Sequence, residues 1–362
     1  MSSDASTRSP IRVLVVDDSA FMRTSLSRMI ASDPDLEVVG TACNGGEALE
    51  RIVALDPDVV TLDIEMPGWD GLETLRRIMA QSPRPVIMVS SATEQGTEAT
   101  FNALSAGAFD YVPKQLSSAS LDILHIRPDL IAKIFAAESV RTRRPAEAAL
   151  RKPPQSLGLP QESLSAIAPQ IVAIGCSTGG PKALQEILPC FPPDFPIPIL
   201  VVQHMPPGFT GPFAQRLNTL SSVTVQEAID KEPLHSGNVY IAPAGLHMTI
   251  ERLDFPEVIV RLRTHPENTL HIPSVDVLMR SVAEVYGSGA MGVILTGMGS
   301  DGLEGMKAIY RAGGFTLGQD ESTCTVYGMP RACAESGILK RVVSLTQVPT
   351  QILQLIQYQK RA

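Results

Sequence analysis

Ile171-Val172-Ala173-Ile174-Gly175-Cys176-Ser177-Thr178-Gly179-Gly180-Pro181 is the stretch from which the fold can be read. Its first residues form an apolar run too short for a helix and bounded by glycines, the pattern of a strand buried on both faces. Pro181, with φ already near the helical value and no N–H to leave unpaired, suits the first turn of a helix directly after it. A strand that enters a helix through a Gly-rich turn is one βα unit of a parallel sheet.

The same unit recurs outward in both directions. Towards the C-terminus, apolar runs fall at residues 199–202, 223–228, 239–242, 292–295 and 315–319. Segments 247–253 and 258–263 follow each other across residues 254–257 and predict one antiparallel hairpin. Towards the N-terminus, strand-like runs at 11–16, 37–42, 59–63, 85–90 and 109–112 alternate with segments of helical spacing, such as Ala48/Ile52/Val53/Leu55 and Leu72/Leu75/Ile78/Met79. The expected fold class is α/β, with two doubly wound parallel-sheet domains. The expected boundaries are a tail over 1–10, a first domain over 11–135, a linker over 136–169 and a second domain over 170–357. The linker reading rests on Arg141, Arg143, Arg144, Arg151 and Lys152 mixed with Pro145, Pro153, Pro154 and Pro160, a solvated and partly extended composition.

Composition excludes several classes. A chain of 362 residues with 44% apolar and 19% charged residues is long enough for two cores and too apolar for disorder. The net charge of −8 argues against a nucleic-acid partner, which calls for a basic face. The five cysteines form no CxxC pair and read as reduced intracellular thiols. A polar N-terminus, and no run of about 18 apolar residues, lead us to expect a cytoplasmic protein without membrane insertion.

Ligand sites in parallel sheets collect beyond the carboxyl ends of strands. In the first domain those ends carry Asp17 and Asp18, Asp63, Ser90 and Lys114. Converging carboxylates repel each other, and a hard divalent ion with oxygen ligands, Mg²⁺ above all, relieves that repulsion. Asp63 would then be the nucleophile that accepts a phosphoryl group, with Lys114 and Ser90 on its oxygens.

In the second domain Gly175-Cys176-Ser177-Thr178-Gly179 fits the G-x-S-x-G spacing after a strand, so Ser177 projects from a tight turn. Amide N–H groups at the start of the following helix can face developing negative charge. From this segment alone, a turn that cradles phosphate reads equally well. Of the six histidines only His204 follows a strongly apolar strand, which brings it beside Ser177; Asp301 closes the Gly-rich loop after another strand. A Ser–His–Asp triad in the order Ser177, His204, Asp301 follows, unlike the Ser, Asp, His order of α/β-hydrolases. Cys176, within this motif, points back toward the core. The alternative is a phosphorylation-gated binding protein whose second domain holds a nucleotide or a receptor, although its loops lack a Walker lysine and a G-x-G-x-x-G fingerprint.

Residues 11 to about 135 resemble response-regulator receiver domains through Val15-Val16-Asp17-Asp18-Ser19, Asp63-Ile64-Glu65-Met66-Pro67 with Asp70-Gly71, and Tyr111-Val112-Pro113-Lys114. Gln115 departs from the pattern, since receivers usually carry proline there. The resemblance implies a flavodoxin-like fold, phosphorylation of Asp63 by a histidine kinase, Mg²⁺ held by Asp17, Asp18, Asp63 and the Glu65 carbonyl, and switching through Ser90 and Tyr111. Residues 170 to about 357 resemble the catalytic domain of chemotaxis protein-glutamate methylesterases, the CheB family. The carrying motifs are Gly175 to Pro181, Gln203-His204-Met205, Ala242-Pro243-Ala244-Gly245-Leu246-His247-Met248, His271-Ile272-Pro273-Ser274-Val275-Asp276-Val277-Leu278, and Leu295-Thr296-Gly297-Met298-Gly299-Ser300-Asp301-Gly302. This resemblance implies Ser177 as nucleophile, His204 as base, Asp301 as orienting acid, and Thr178 and Met298 near the oxyanion, with His247 and His271 structural or at the rim. It implies no cofactor in the esterase site. The implied substrates are glutamyl γ-methyl esters on the cytoplasmic helices of methyl-accepting chemoreceptors, and in some members receptor glutamines.

Overall fold

A computed structural model describes residues 9–91, 93–114, 126–147, 168–253 and 256–358. The chain divides into two compact units, Met1–Pro154 and Gln155–Ala362. Among the described residues no helix is long and apolar enough to cross a membrane.

In the first unit, β1 (Ile11–Val16), β2 (Leu36–Ala42), β3 (Val59–Asp63), β4 (Val86–Ser91) and β5 (Asp110–Lys114) form a parallel sheet in the order β2-β1-β3-β4-β5. Between them run α1 (Ala20–Ile30), α2 (Gly45–Leu55), α3 (Gly71–Gln81) and α4 (Glu94–Ser105), with α5 (Arg127–Glu147) last. Residues 13–16 of β1 and all of β3 are buried, as expected of central strands covered on both faces. The first four helices start on polar caps. Ser19, Asn44, Asp70 and Thr93 each accept a hydrogen bond from the backbone N–H three residues on. Strand order reverses between β1 and β3, so a crevice opens beyond their carboxyl ends.

The linker expected from residue 136 onward needs correction, because α5 continues to Glu147. Its apolar stripe does not stop at Phe135: Leu130, Ile134 and Ala137 are fully buried, and Arg141 is paired with Asp58. Arg141, Arg143, Arg144 and Pro145, four of the residues that suggested a hinge, fall within this helix. Gln115, His125 and residues 148–167 lie outside the described residues.

The second unit holds β6 (Ile171–Cys176), β7 (Ile199–Gln203), β8 (Thr224–Glu227), β9 (Asn238–Ile241), β12 (Ala290–Ile294), β13 (Phe315–Gln319) and β14 (Arg341–Val343). They form one parallel sheet in the order β14-β13-β12-β6-β7-β9-β8. Helices α6 (Gly180–Ile187), α7 (Thr210–Leu220), α8 (Val275–Tyr286), α9 (Leu303–Arg311), α10 (Met329–Glu335) and α11 (Val348–Leu355) connect or follow the strands. The expected hairpin is β10 (His247–Arg252) with β11 (Val258–Arg263), antiparallel in the register His247↔Arg263 to Arg252↔Val258. Its apolar residues Met248, Ile250, Val258 and Val260 share a core with Val275, Leu278, Met279 and Val282 of α8. Strand order reverses around β6, which lies between β12 and β7. The ends of these three adjacent strands therefore face one crevice.

Candidate active site and phosphoacceptor pocket

Ser177 is the first residue past β6. Its N–H donates to Thr296 O at 3.0 Å, and its carbonyl accepts from Gly180 N at 2.8 Å, closing the turn into α6. Thr296, 1% exposed, pins that turn: its hydroxyl donates to Thr178 O at 2.9 Å, and its own N–H donates to Gln319 Oε1 at 2.8 Å. His204 is the first residue past β7, and its N–H donates to Cys176 O at 3.1 Å, next to the serine.

Asp301 reaches His204 from the loop after β12. Its Oδ2 lies 2.8 Å from His204 Nε2. The same carboxylate is surrounded by donors at the start of α8: Oδ2 accepts from Val275 N at 2.8 Å, and Oδ1 accepts from Ser274 Oγ at 2.8 Å and Asp276 N at 3.1 Å. Gly302 N adds a third bond to Oδ1 at 3.0 Å. Burial alone would push this carboxyl up, yet the hydrogen bond and charge of His204 and the amides of Val275 and Asp276 hold it well below the usual carboxylate range. An ionised carboxylate only accepts, so the proton on the shared bond belongs to His204 Nε2. In the neutral ring Nδ1 keeps the lone pair; it is buried and has no hydrogen-bond partner among the described residues.

A second imidazole faces the first. The His271 ring stacks on His204 with centroids 4.0 Å apart and planes 22° from parallel. His247 is fully buried and knots the loop that carries His271. Its Nδ1 accepts from Ser274 N at 3.1 Å, and its Nε2 lies 3.0 Å from Pro266 O. Cys176 is buried, with Sγ toward Val202 O at 3.8 Å; burial pushes its thiol far above the ordinary value, which suits packing rather than attack.

In the first unit, Asp17, Asp18 and Asp63 bring one carboxylate oxygen each within 4.8 Å of one another. Lys114 Nζ lies 2.7 Å from Asp63 Oδ2 and 3.1 Å from Asp17 Oδ2. Burial pushes the Asp63 carboxyl up to about 6, against the opposing pull of Lys114. Three hard oxygens in this spacing fit a divalent cation of the Mg²⁺ class.

A family model described as CheB methylesterase matches residues 172–352, and one described as response regulator receiver domain matches residues 13–124. A protein-glutamate methylesterase/protein-glutamine glutaminase of Nitratidesulfovibrio vulgaris is 47% identical over 95% of this chain and 98% of its own length. The chain belongs to the CheB methylesterase family. A relative of the same name from Symbiobacterium thermophilum is also 47% identical, over 96% of this chain and 97% of its own. The crystal structure of the CheB methylesterase catalytic domain of Thermotoga maritima matches with 41% identity and a TM-score of 0.51, covering 52% of this chain and all of that one.

In this family member, the residues expected from strand ends fall into distinct groups. Ser177, His204 and Asp301 lie at the ends of three neighbouring strands, with His204 and Asp301 in direct contact. Thr178 is buried beneath the turn, and Met298 follows Gly297, which packs on Ser177. Asp17, Asp18, Asp63 and Lys114 meet. Glu65 is exposed and joins this group through its N–H, which donates to Asp63 Oδ1 at 3.3 Å. Ser90 differs: its hydroxyl is bonded to Gly96 O at 3.1 Å and Thr100 Oγ1 at 2.7 Å, so it is engaged with α4. Tyr111 is buried, with Lys133 Nζ 5.3 Å from its ring centroid. Sequence reasoning missed the start of α8 as the cradle of Asp301, although Ser274 followed by Asp276 and apolar residues at 275, 278, 279 and 282 carries a helix-start signal.

Two expected outcomes follow from this geometry. A Cβ at Gly297 would stand 3.0 Å from both Ser177 Cβ and Ser177 N and 2.2 Å from Met329 Sδ. Gly297→Ala should cost about 1–3 kcal/mol in urea unfolding and displace the serine turn; unchanged stability would show that the turn has room to spare. For Asp63 the sign of the pH effect is fixed by its raised value. The folded state favours the neutral acid, so this carboxyl's contribution to stability is full below its ordinary 3.8 and is lost as pH rises through about 6. Asp63→Asn should therefore raise the melting temperature relative to wild type more at about pH 7 than at about pH 4. The opposite ordering in calorimetry would contradict the burial penalty.

Proposed function

We propose that the chain hydrolyses γ-methyl esters of glutamyl residues on the cytoplasmic helices of chemoreceptors, deamidates glutamines at the same site, and does so under the control of phosphorylation at Asp63. The observation that carries this reading is the His204–Asp301 bond of 2.8 Å beside the Ser177 turn, in a member of the CheB methylesterase family. Ser177 Oγ attacks the ester carbonyl while His204 Nδ1 takes its proton; Asp301 holds the ring and stabilises the imidazolium. The negative charge on the carbonyl oxygen develops near the turn carrying Thr178 and the loop carrying Met298, where main-chain N–H groups can meet it. His204 returns the proton to the departing methoxide, methanol leaves, and an acyl-serine remains. Water, deprotonated by His204, attacks that acyl group; glutamate and free Ser177 result. With glutamine the leaving group is ammonia and the rest is unchanged.

In the receiver, Asp17, Asp18 and Asp63 would hold Mg²⁺, which neutralises charge on an incoming phosphoryl group when bound. Asp63 is the phosphoryl acceptor and a histidine kinase the donor. Lys114, already against Asp63, is placed to pair with a phosphoryl oxygen after transfer.

Methanol release from a methylated receptor fragment tests this reading. Addition of a small phosphodonor should raise the wild-type rate roughly tenfold, a coupling of ordinary size, and leave Asp63→Asn unchanged. No methanol release under either condition would overturn the proposed activity, and equal stimulation of both forms would overturn the role of Asp63.

A further inference from the structure

Gln203 is the last residue of β7 and is 2% exposed. Its side-chain Nε2 donates to two carbonyls, Ser177 O at 3.0 Å and His204 O at 2.9 Å. Two acceptors on one side fix the amide's orientation, because the flipped group would set its oxygen against both of them. The other end of the amide is not satisfied. Oε1 is buried and takes no hydrogen bond from the described residues, and a Cβ at Gly180 would stand 1.9 Å from it, so the first residue of α6 must lack a side chain for this amide to fit.

Backbone pairing of β6 with β7 ends at Cys176↔Gln203. Ser177 and His204 therefore lie one step past the last paired residues, where the backbone bond from His204 N to Cys176 O at 3.1 Å is the last rung of the ladder. The Gln203 amide bridges that step. An apolar side chain of similar length would not bury that acceptor, but it would take the Nε2 donor from Ser177 O and His204 O, so its two effects on stability oppose each other. The chain keeps the costly group where it joins the nucleophile's backbone to the base's.

Resting on the reading of Ser177 and His204 given above, we infer that Gln203 is a positioning residue: a clamp whose amide ties the backbone of the nucleophile to that of the base. Misplacement of reacting groups by about 1 Å can cost roughly 100-fold in rate. A residue that served only to hold the core would lower stability and activity together when removed; this clamp separates the two.

The test compares full-length Gln203→Leu and Gln203→Met with wild type and with Ser177→Ala, by methanol release from methylated receptor fragment and by thermal melting. The clamp predicts that kcat falls by about 10- to 100-fold in both Gln203 variants, with KM unchanged and melting temperatures within a few degrees of wild type. Wild-type kcat in either variant overturns it, as does a fall in melting temperature in both that is large enough to unfold the protein at the assay temperature. Ser177→Ala separates the levels. If that variant keeps its activity the triad reading fails; if it is inactive while Gln203→Leu runs at the full rate, only the clamp fails.

Discussion

Ser177→Ala is expected to reduce kcat for methanol release by about a millionfold, the scale of loss on removing a serine nucleophile from a triad. The substitution leaves the local structure in place. The contacts that fix residue 177, its N–H to Thr296 O and its carbonyl with Gly180 N and Gln203 Nε2, all use main-chain atoms of residue 177 and survive in alanine. Stability should thus change little, and lost activity cannot be assigned to unfolding. A steady-state assay with a sensitive methanol readout checks this, and activity within tenfold of wild type would show that another group attacks the ester.

Asp301→Asn is expected to cost about ten-thousandfold in kcat with little change in KM. The reason lies in the proton on His204. Asp301 accepts from His204 Nε2 at Oδ2, and asparagine can keep an oxygen toward Ser274, Asp276 and Gly302 only by placing its NH₂ group at the Oδ2 position, toward that same nitrogen and against Val275 N–H. The imidazole would then shift its proton to Nδ1, the nitrogen that has to receive the proton of Ser177. An intact fold with the wrong tautomer follows. Loss of the negative charge at the start of α8 should also lower stability by about 1 kcal/mol. The ¹⁵N shifts of the His204 ring read the tautomer directly: protonated Nε2 in wild type, protonated Nδ1 in Asp301→Asn.

Much of this was legible in the sequence because strands buried on both faces have sharp ends. The runs at 11–16, 59–63 and 315–319 coincide with β1, β3 and β13, and the hairpin lies where the segments 247–253 and 258–263 place it. The rest depends on information that local pattern does not carry. β14 is a three-residue edge strand, largely exposed, with no apolar alternation to find. α5 runs past Phe135 because the buried stripe of Leu130, Ile134 and Ala137 carries it on, whereas composition registers only the arginines and proline in its sequence. At the active site, strand ends nominated Ser177, His204 and Asp301 without fixing their order in space. Only the sheet order β12-β6-β7 makes the three strands neighbours. Which nitrogen of His204 faces Asp301, the stacking of His271 on that ring, and the position of Gln203 at the last pair of the β6–β7 ladder are matters of register and rotamer. The residue types alone do not encode them.

The central claim is that the Ser177 hydroxyl, activated by a His204 that Asp301 holds, receives the acyl group. Peptide mapping after treatment with a serine-directed phosphonate tests it most directly. The expected result is a single adduct on Ser177 in wild type, formed at least about 100-fold more slowly in Asp301→Asn. An adduct on a different residue, or equal rates of labelling in the two proteins, would contradict the account.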